Sequence, residues 1–188
     1  MKCLSFNCRG LVSANKKLAL RRIFETVSVD IILLQETLGQ ADPISVSLSS
    51  IIPRWKFLAM DSIGRSGGLA IGYNPSTIKA QATWGGQGFM GIDLFSADLG
   101  INLRVINIYG PYQQRENFWH HLLGLSIFCA DNIIIGGDLN FSLEYGESWR
   151  SMAQVDSIIG YMKTLLERHN LIDVPMHKPL PLAGTEEL

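Results

Sequence analysis

The sequence predicts an α/β fold in which two β-sheets pack face to face with helices outside. Strand-like and helix-like segments alternate near both ends of the chain. Consecutive strands with hairpin-like connections fill the middle. Two runs, Ile31 to Leu34 and Ile133 to Ile135, are apolar without alternation, as in strands covered on both faces. A doubly wound open sheet is the competing architecture. The hairpin-like strands between Trp55 and Tyr109 count against it, because parallel strands need long crossovers. Of 188 residues, 47% are hydrophobic, enough for one core of ordinary domain size. Composition does not change along the chain, so one domain is expected over residues 1–174, with a loose tail at 175–188.

Each element has its own signal. Residues 2–7 alternate in part and read as a strand, followed by a glycine-containing turn. Ser13 is a plausible N-cap, and Leu20, Ile23, Phe24 and Val27 repeat at helical spacing. Residues 30–35 form a short apolar strand. Asp42-Pro43 looks like a cap with proline in the first turn of a short helix. Residues 55–60 and 68–73 read as strands joined by a glycine-rich turn at 63–67. Further strands are expected at 78–84, 91–97 and 101–109, the last two joined tightly by Asp98-Leu99-Gly100. Residues 116–130 predict a helix and 132–135 a buried strand. Val155, Ile158, Ile159, Met162 and Leu166 mark an amphipathic helix. Residues 171–174 start something extended. From Pro175 on, three prolines in seven residues leave no periodicity.

Net charge is −1, so the chain as a whole is not a basic nucleic-acid-binding module. The charge is uneven: Lys2, Arg9, Lys16, Lys17, Arg21 and Arg22 all precede the first acid, Glu25. This stretch is either a solvated helix face or a phosphate-attracting edge beside Asn7. Cys3, Cys8 and Cys129 match no zinc spacing and no disulfide framework, which points to a reducing compartment. No signal-peptide core and no run of membrane-span length is present. An intracellular protein of nucleus or cytoplasm, not secreted, monomeric and without a membrane partner, is expected.

Four polar clusters end the apolar runs: Asn7-Cys8-Arg9-Gly10, Gln35-Glu36-Thr37, Asn107-Ile108-Tyr109-Gly110-Pro111 and Gly136-Gly137-Asp138-Leu139-Asn140. Taken alone, Asn7 reads as a turn residue, Glu36 as an exposed loop acid, Tyr109 as packing with a wet tip, and Asp138 with Asn140 equally as an Asx turn or as two polar groups aimed at one phosphate. Together they offer two carboxylates, two amides and a phenol, a set suited to one hard cation and one phosphate. A phosphodiester repels hydroxide, so its charge must be neutralised and its leaving oxygen stabilised. Magnesium suits both tasks through oxygen ligands and retained water. Glu36 is the best ligand candidate, with Asn7 supplying a carbonyl oxygen or binding a metal-bound water. Arg9, and Arg65 at the tip of Gly64-Arg65-Ser66-Gly67-Gly68, are candidate contacts to backbone phosphate, though Arg65 reads first as part of a solvated turn. An EF-hand loop at Asp138 fails, since position six is Leu143 and position twelve Trp149. His120, His121, His169 and His177 have no partner acid at an informative spacing and read as structural or surface residues.

In this order Asn-Cys-Arg-Gly, Gln-Glu-Thr, Ser-Gly-Gly, Asn-Ile-Tyr-Gly-Pro and Gly-Gly-Asp-Leu-Asn resemble the endonuclease/exonuclease/phosphatase superfamily. The resemblance covers residues 1–174. It is nearest in flavour to the apurinic-type endonuclease domain of plant LINE (non-LTR) retrotransposons. It implies a DNase I-like four-layer α/β sandwich with two mixed sheets, and magnesium-dependent DNA cleavage, with manganese as an alternative ion. By position it implies Asn7 and Glu36 at the metal, Tyr109 on the scissile phosphate, Asp138 orienting water or assisting the leaving group, and Asn140 stabilising the transition state. The superfamily's Ser-Asp-His and its Thr-Trp-Asn-like segment do not occur in this sequence. An incomplete C-terminal part and impaired catalysis are therefore expected, as in a degenerate retroelement copy. Two other readings stand beside the nuclease: a non-catalytic nucleic-acid-binding remnant, and a phosphatase acting on a lipid or small phosphate ester.

Overall fold

Residues Ile31–Gln35 (β2) are buried without exception, and their alternation divides the core in two. Ile31 and Leu33 point into a cluster with Leu69, Ile71, Ile92, Leu94 and Val105, which fills the space between two sheets. Ile32 and Leu34 point the other way, against Leu20, Ile44, Leu48 and Ala70. A strand covered on both faces cannot alternate with polar residues, which is why this run is continuously apolar.

The computed structural model describes residues 1–11, 13–63, 66–141 and 156–174. They belong to two compact units, Met1–Asn140 and Phe141–Leu188. The first unit holds eight strands in two four-stranded sheets. One sheet has the order β1-β2-β4-β3, from Cys3–Asn7 (β1), β2, Ser66–Tyr73 (β4) and Lys56–Ile63 (β3). The other has the order β5-β6-β7-β8, from Ile78–Gly86 (β5), Phe89–Ser96 (β6), Ile101–Tyr109 (β7) and Ile133–Asp138 (β8). Both are mixed. β1 pairs parallel with β2, and β7 pairs parallel with β8, while the remaining neighbours are antiparallel. A parallel pair needs a crossover, and a helix supplies each one. Ala14–Thr26 (α1) links β1 to β2, and Arg115–Gly124 (α3) links β7 to β8. This is the predicted α/β sandwich of two mixed sheets with helices. The doubly wound alternative is excluded by the hairpins β3–β4 and β5–β6–β7.

Ser13 caps α1 as expected, its hydroxyl accepting from the Lys16 amide at 3.4 Å. Asp42 is not a cap. The helix Ala41–Ile51 (α2) starts one residue earlier, with Gln40 at the cap position and Asp42 in the first turn. The capping acceptor comes from β3, where Asp61 Oδ1 takes the Ala41 amide at 2.7 Å. Helix α3 is shorter than the predicted 116–130. It stops at Gly124, Ser126 is left-handed, and Ile127 and Phe128 are buried as loop residues. Arg104, paired with Asp93 at 2.7 Å, donates to the Ile127 carbonyl and holds that loop. β8 runs through the two glycines to Asp138, beyond the predicted end at Ile135, because Gly136 and Asp138 keep register with Asn107 and Tyr109.

In the second unit, Ile159–Arg168 (α4) buries Met162 and Leu165, with Ile158 buried at its start. Asn170, left-handed, follows the helix end, and residues 171–174 form no strand. Val155, Arg65 and the predicted tail at 175–188 lie outside the described residues. Among the described residues, no helix is long and apolar enough to cross a membrane.

Candidate active site

Two neighbouring parallel strands deliver their carboxyl ends to the same edge of a sheet, and ligand sites in mixed α/β folds gather there. Here each sheet contributes one parallel pair. β1 and β2 end at Asn7 and Gln35, which are register partners, and Glu36 follows. β7 and β8 end at Tyr109 and Asp138, also register partners. Residues far apart in sequence therefore meet. The Asn7 amide nitrogen donates to Glu36 Oε1 at 2.8 Å and to Asp138 Oδ2 at 2.6 Å, across 131 residues of chain in the second case.

The backbone around these groups is held in place. Glu36 and Asn140 both adopt left-handed φ, at 51° and 52°, a conformation that costs energy for residues other than glycine. The Glu36 loop is clamped on two sides: Gly10 N and Leu11 N donate to Glu36 O and Thr37 O, while Thr37 N and Leu38 N donate to Gly68 O and Gly67 O. Asp138 follows Gly137, whose φ is +144°, and a Cβ there would run into the Ile108 carbonyl. Only glycine allows β8 to approach β7 this closely just before the carboxylate. Asn140 places its backbone N–H 3.4 Å from Asp138 Oδ1 and its side-chain amide on the Gly110 carbonyl. It thus ties the segment after Asp138 to the segment after Tyr109, and one of its amide hydrogens is committed to that tie. Arg115 adds a bond to the Asn140 carbonyl at 3.1 Å.

Arg9 is exposed and left-handed, its N–H donating to Asn7 Oδ1 at 3.0 Å and its carbonyl accepting from Lys16 Nζ. The amino-terminal basic stretch therefore divides. Arg9 and Lys16 are tied to the loop beside Asn7, whereas Arg21 pairs with Glu25 on a solvated helix face, a contact worth little.

Behind the site lies a polar lock that sequence reasoning missed. Gln35 and Asn107 are buried at 1% and 0% exposure, in different sheets. Gln35 Nε2 donates to Asn107 Oδ1 at 2.6 Å and to Ser5 Oγ at 3.2 Å. Asn107 Nδ2 donates to the Leu34 carbonyl at 2.9 Å and the Ala70 carbonyl at 3.0 Å. The bonds span both layers directly under Glu36 and Tyr109. The available signal was a polar residue inside a buried run, since such a group must find partners.

Cys8 lies beside the site but offers no thiolate. Burial, reinforced by the Glu36 charge and opposed by Lys16, pushes its thiol up to about 12 from an ordinary 9.0. Two outcomes follow. At pH 8, iodoacetamide followed by peptide mapping should find Cys129, which is exposed, alkylated and Cys8 protected until the chain unfolds. Unfolding also frees Cys8 to ionise near 9. The folded state then holds more protons than the unfolded state, so stability should fall as pH rises above that value.

The donor set fits a hard cation. Two half-buried carboxylates meet at one neutral amide, which leaves negative charge in excess. Magnesium is commonly held by one or two carboxylates with several waters. Among the described residues, no group of three or more histidines, cysteines, aspartates or glutamates could hold a metal.

The Endonuclease/Exonuclease/phosphatase family model matches residues 4–170. No curated protein matches the chain. Among solved structures, the chain is similar to AP endonuclease LMAP from Leishmania major, with TM-score 0.68 and 15% identity over 89% of this chain and 66% of that one. It is similar to the endonuclease domain of TRAS1, a telomere-specific non-LTR retrotransposon, with TM-score 0.62 and 13% identity over 89% and 69%. It is also similar to humanized D. rerio TDP2, with TM-score 0.59 and 16% identity over 74% of this chain, and spans 62% of that protein's length. Such identities speak for the fold, and the family model speaks for descent: the chain belongs to the Endonuclease/Exonuclease/phosphatase family.

Proposed function

We propose that this chain acts as a magnesium-dependent DNA endonuclease of retrotransposon origin, cleaving a phosphodiester by in-line attack of water. The observation that carries this reading is the meeting of Glu36 and Asp138 on the Asn7 amide. Glu36 and Asn7 would hold the magnesium ion, with manganese as an alternative. A metal there neutralises phosphate charge and stabilises the leaving oxygen. Asp138 orients the water that attacks phosphorus. Tyr109, at the end of β7 in register with Asp138, contacts the phosphate. Asn140 keeps the Tyr109 and Asp138 segments together while its remaining amide hydrogen faces the developing charge. Arg9 draws the backbone phosphates toward Asn7, and Arg65 is assigned the same role. Similarity to an AP endonuclease and a retrotransposon endonuclease domain supports nucleic acid as the substrate class.

We place the turnover rate low. Ser-Asp-His occurs nowhere in the sequence, and losing an acid–base residue costs about two to four powers of ten. The test is conversion of supercoiled plasmid to open circles by the purified chain with magnesium. Nicking that EDTA abolishes is expected. No nicking at high protein concentration, or nicking indifferent to EDTA, would overturn the reading. The Arg9 and Lys16 edge favours a second reading, a non-catalytic binder. It predicts salt-sensitive DNA affinity without cleavage.

A further inference from the structure

With Tyr109 in its wall lies a cavity of about 920 Å³, most of whose lining the cleavage chemistry does not use. Its wall comes from three places: the β3–β4 hairpin, the β5–β6 hairpin tip at Gly86-Gln87-Gly88, and the segment from Gly110 into α3. The tip is pinned to the site, since Tyr109 N donates to Gly88 O at 2.8 Å. A Cβ at Gly88 would stand 3.0 Å from the Tyr109 carbonyl and 3.1 Å from the Phe118 ring, so glycine keeps the tip close and the cavity open.

The lining has an unusual chemistry. Among the described residues it contains no lysine and no arginine. Its one carboxylate, Asp61, already accepts the Ala41 amide. Four side-chain amides face the space, from Gln87, Gln113, Gln114 and Asn117, all on exposed residues. None of the four side chains makes a hydrogen bond among the described residues. Tyr112, 73% exposed, and Phe118 add aromatic surface. Free amides beside an open aromatic ring suit a planar, uncharged ligand with hydrogen-bonding edges. Glutamine and asparagine amides match the edge of a base, and aromatic rings stack on its face.

We propose that this cavity is a nucleobase-binding subsite that takes a base of the strand whose phosphate lies at Tyr109. The proposal rests on the reading of DNA as the substrate. It gives the chain a contact to bases that Asn7, Glu36 and Asp138, which face phosphate, do not supply. Tyr112 stacks the base, and the amides hold its edge.

The test is fluorescence anisotropy in EDTA, so that cleavage plays no part. Two probes are compared: a single-stranded deoxyadenosine oligonucleotide and an abasic strand of equal length. The base-bearing strand should bind roughly five- to a hundredfold tighter, the range for one stacked base. Tyr112→Ala should bring the two affinities together, Tyr112→Phe should keep the preference, and Gln113→Ala with Gln114→Ala should reduce it. The exposure of Tyr112 leaves the core untouched by its truncation, and a thermal melt confirms folding. Equal affinity for the two strands, no binding of either at low salt, or a preference that survives Tyr112→Ala overturns the subsite. Plasmid nicking, measured separately, decides the catalytic reading. Nicking without base preference removes the subsite alone, and base preference without nicking removes catalysis alone.

Discussion

Asp138→Asn is expected to lower plasmid nicking by roughly two to four powers of ten while leaving the melting temperature unchanged or raised. The two effects part because the carboxylate is proposed to orient water and also crowds the fold with like charge. Asp138 and Glu36 aim two negative charges at one neutral donor, the Asn7 amide. Like charges at such a spot disfavour each other. Asparagine at 138 keeps the shape and removes one charge, so the folded state loses a repulsion. It also removes the group proposed to orient water. Glu36→Gln should act in the same direction. Sites that trade stability for activity commonly respond this way. A nicking rate within tenfold of the parent for Asp138→Asn would sink the assigned role.

Asn107→Ala should produce the largest loss of stability, about 2–4 kcal/mol, read as a lower urea midpoint. Its side chain meets three partners: the Leu34 carbonyl, the Ala70 carbonyl and the Gln35 amide. Alanine would take one partner from each in a fully buried place, while Leu34 and Ala70 remain register partners in the β2–β4 ladder, and each bond lost costs about 0.5–1.5 kcal/mol. The sum is reduced by relaxation and by the second bond of Gln35 to Ser5. A loss under about 1 kcal/mol would show that the lock contributes little. Because the lock joins the two layers under the site, nicking should fall with stability in this variant, in contrast to Asp138→Asn.

Much of the architecture was legible from single stretches. A continuous apolar run such as β2 announces burial on both faces, and Ser13 before a helical repeat announces a cap. What could not be read depends on partners distant in the chain. Asp61 caps α2 from another element, so Asp42, adjacent in sequence, took the credit. The apolar residues after Gly124 look helical, but Ile127 and Phe128 find burial in a loop held by Arg104. Gly136 and Gly137 suggest the end of a strand, yet pairing with β7 carries β8 to Asp138. The members of the candidate site were visible as residue types at strand ends. That Asn7, Glu36 and Asp138 share hydrogen bonds was not, because it requires the stacking of two sheets. Gln35 and Asn107 sit in the same clusters and turned out to hold the layers.

Each layer brings one carboxylate: Glu36 with the first sheet, Asp138 with the second. Neither layer owns the pocket. A nascent polypeptide that has left the ribosome only as far as Tyr73 has made its first four strands and only half of the candidate site. An interrupted translation product of that length lacks the second carboxylate however well it folds. Solvent entering between the layers would dismantle the pocket while both ladders of backbone bonds stayed whole.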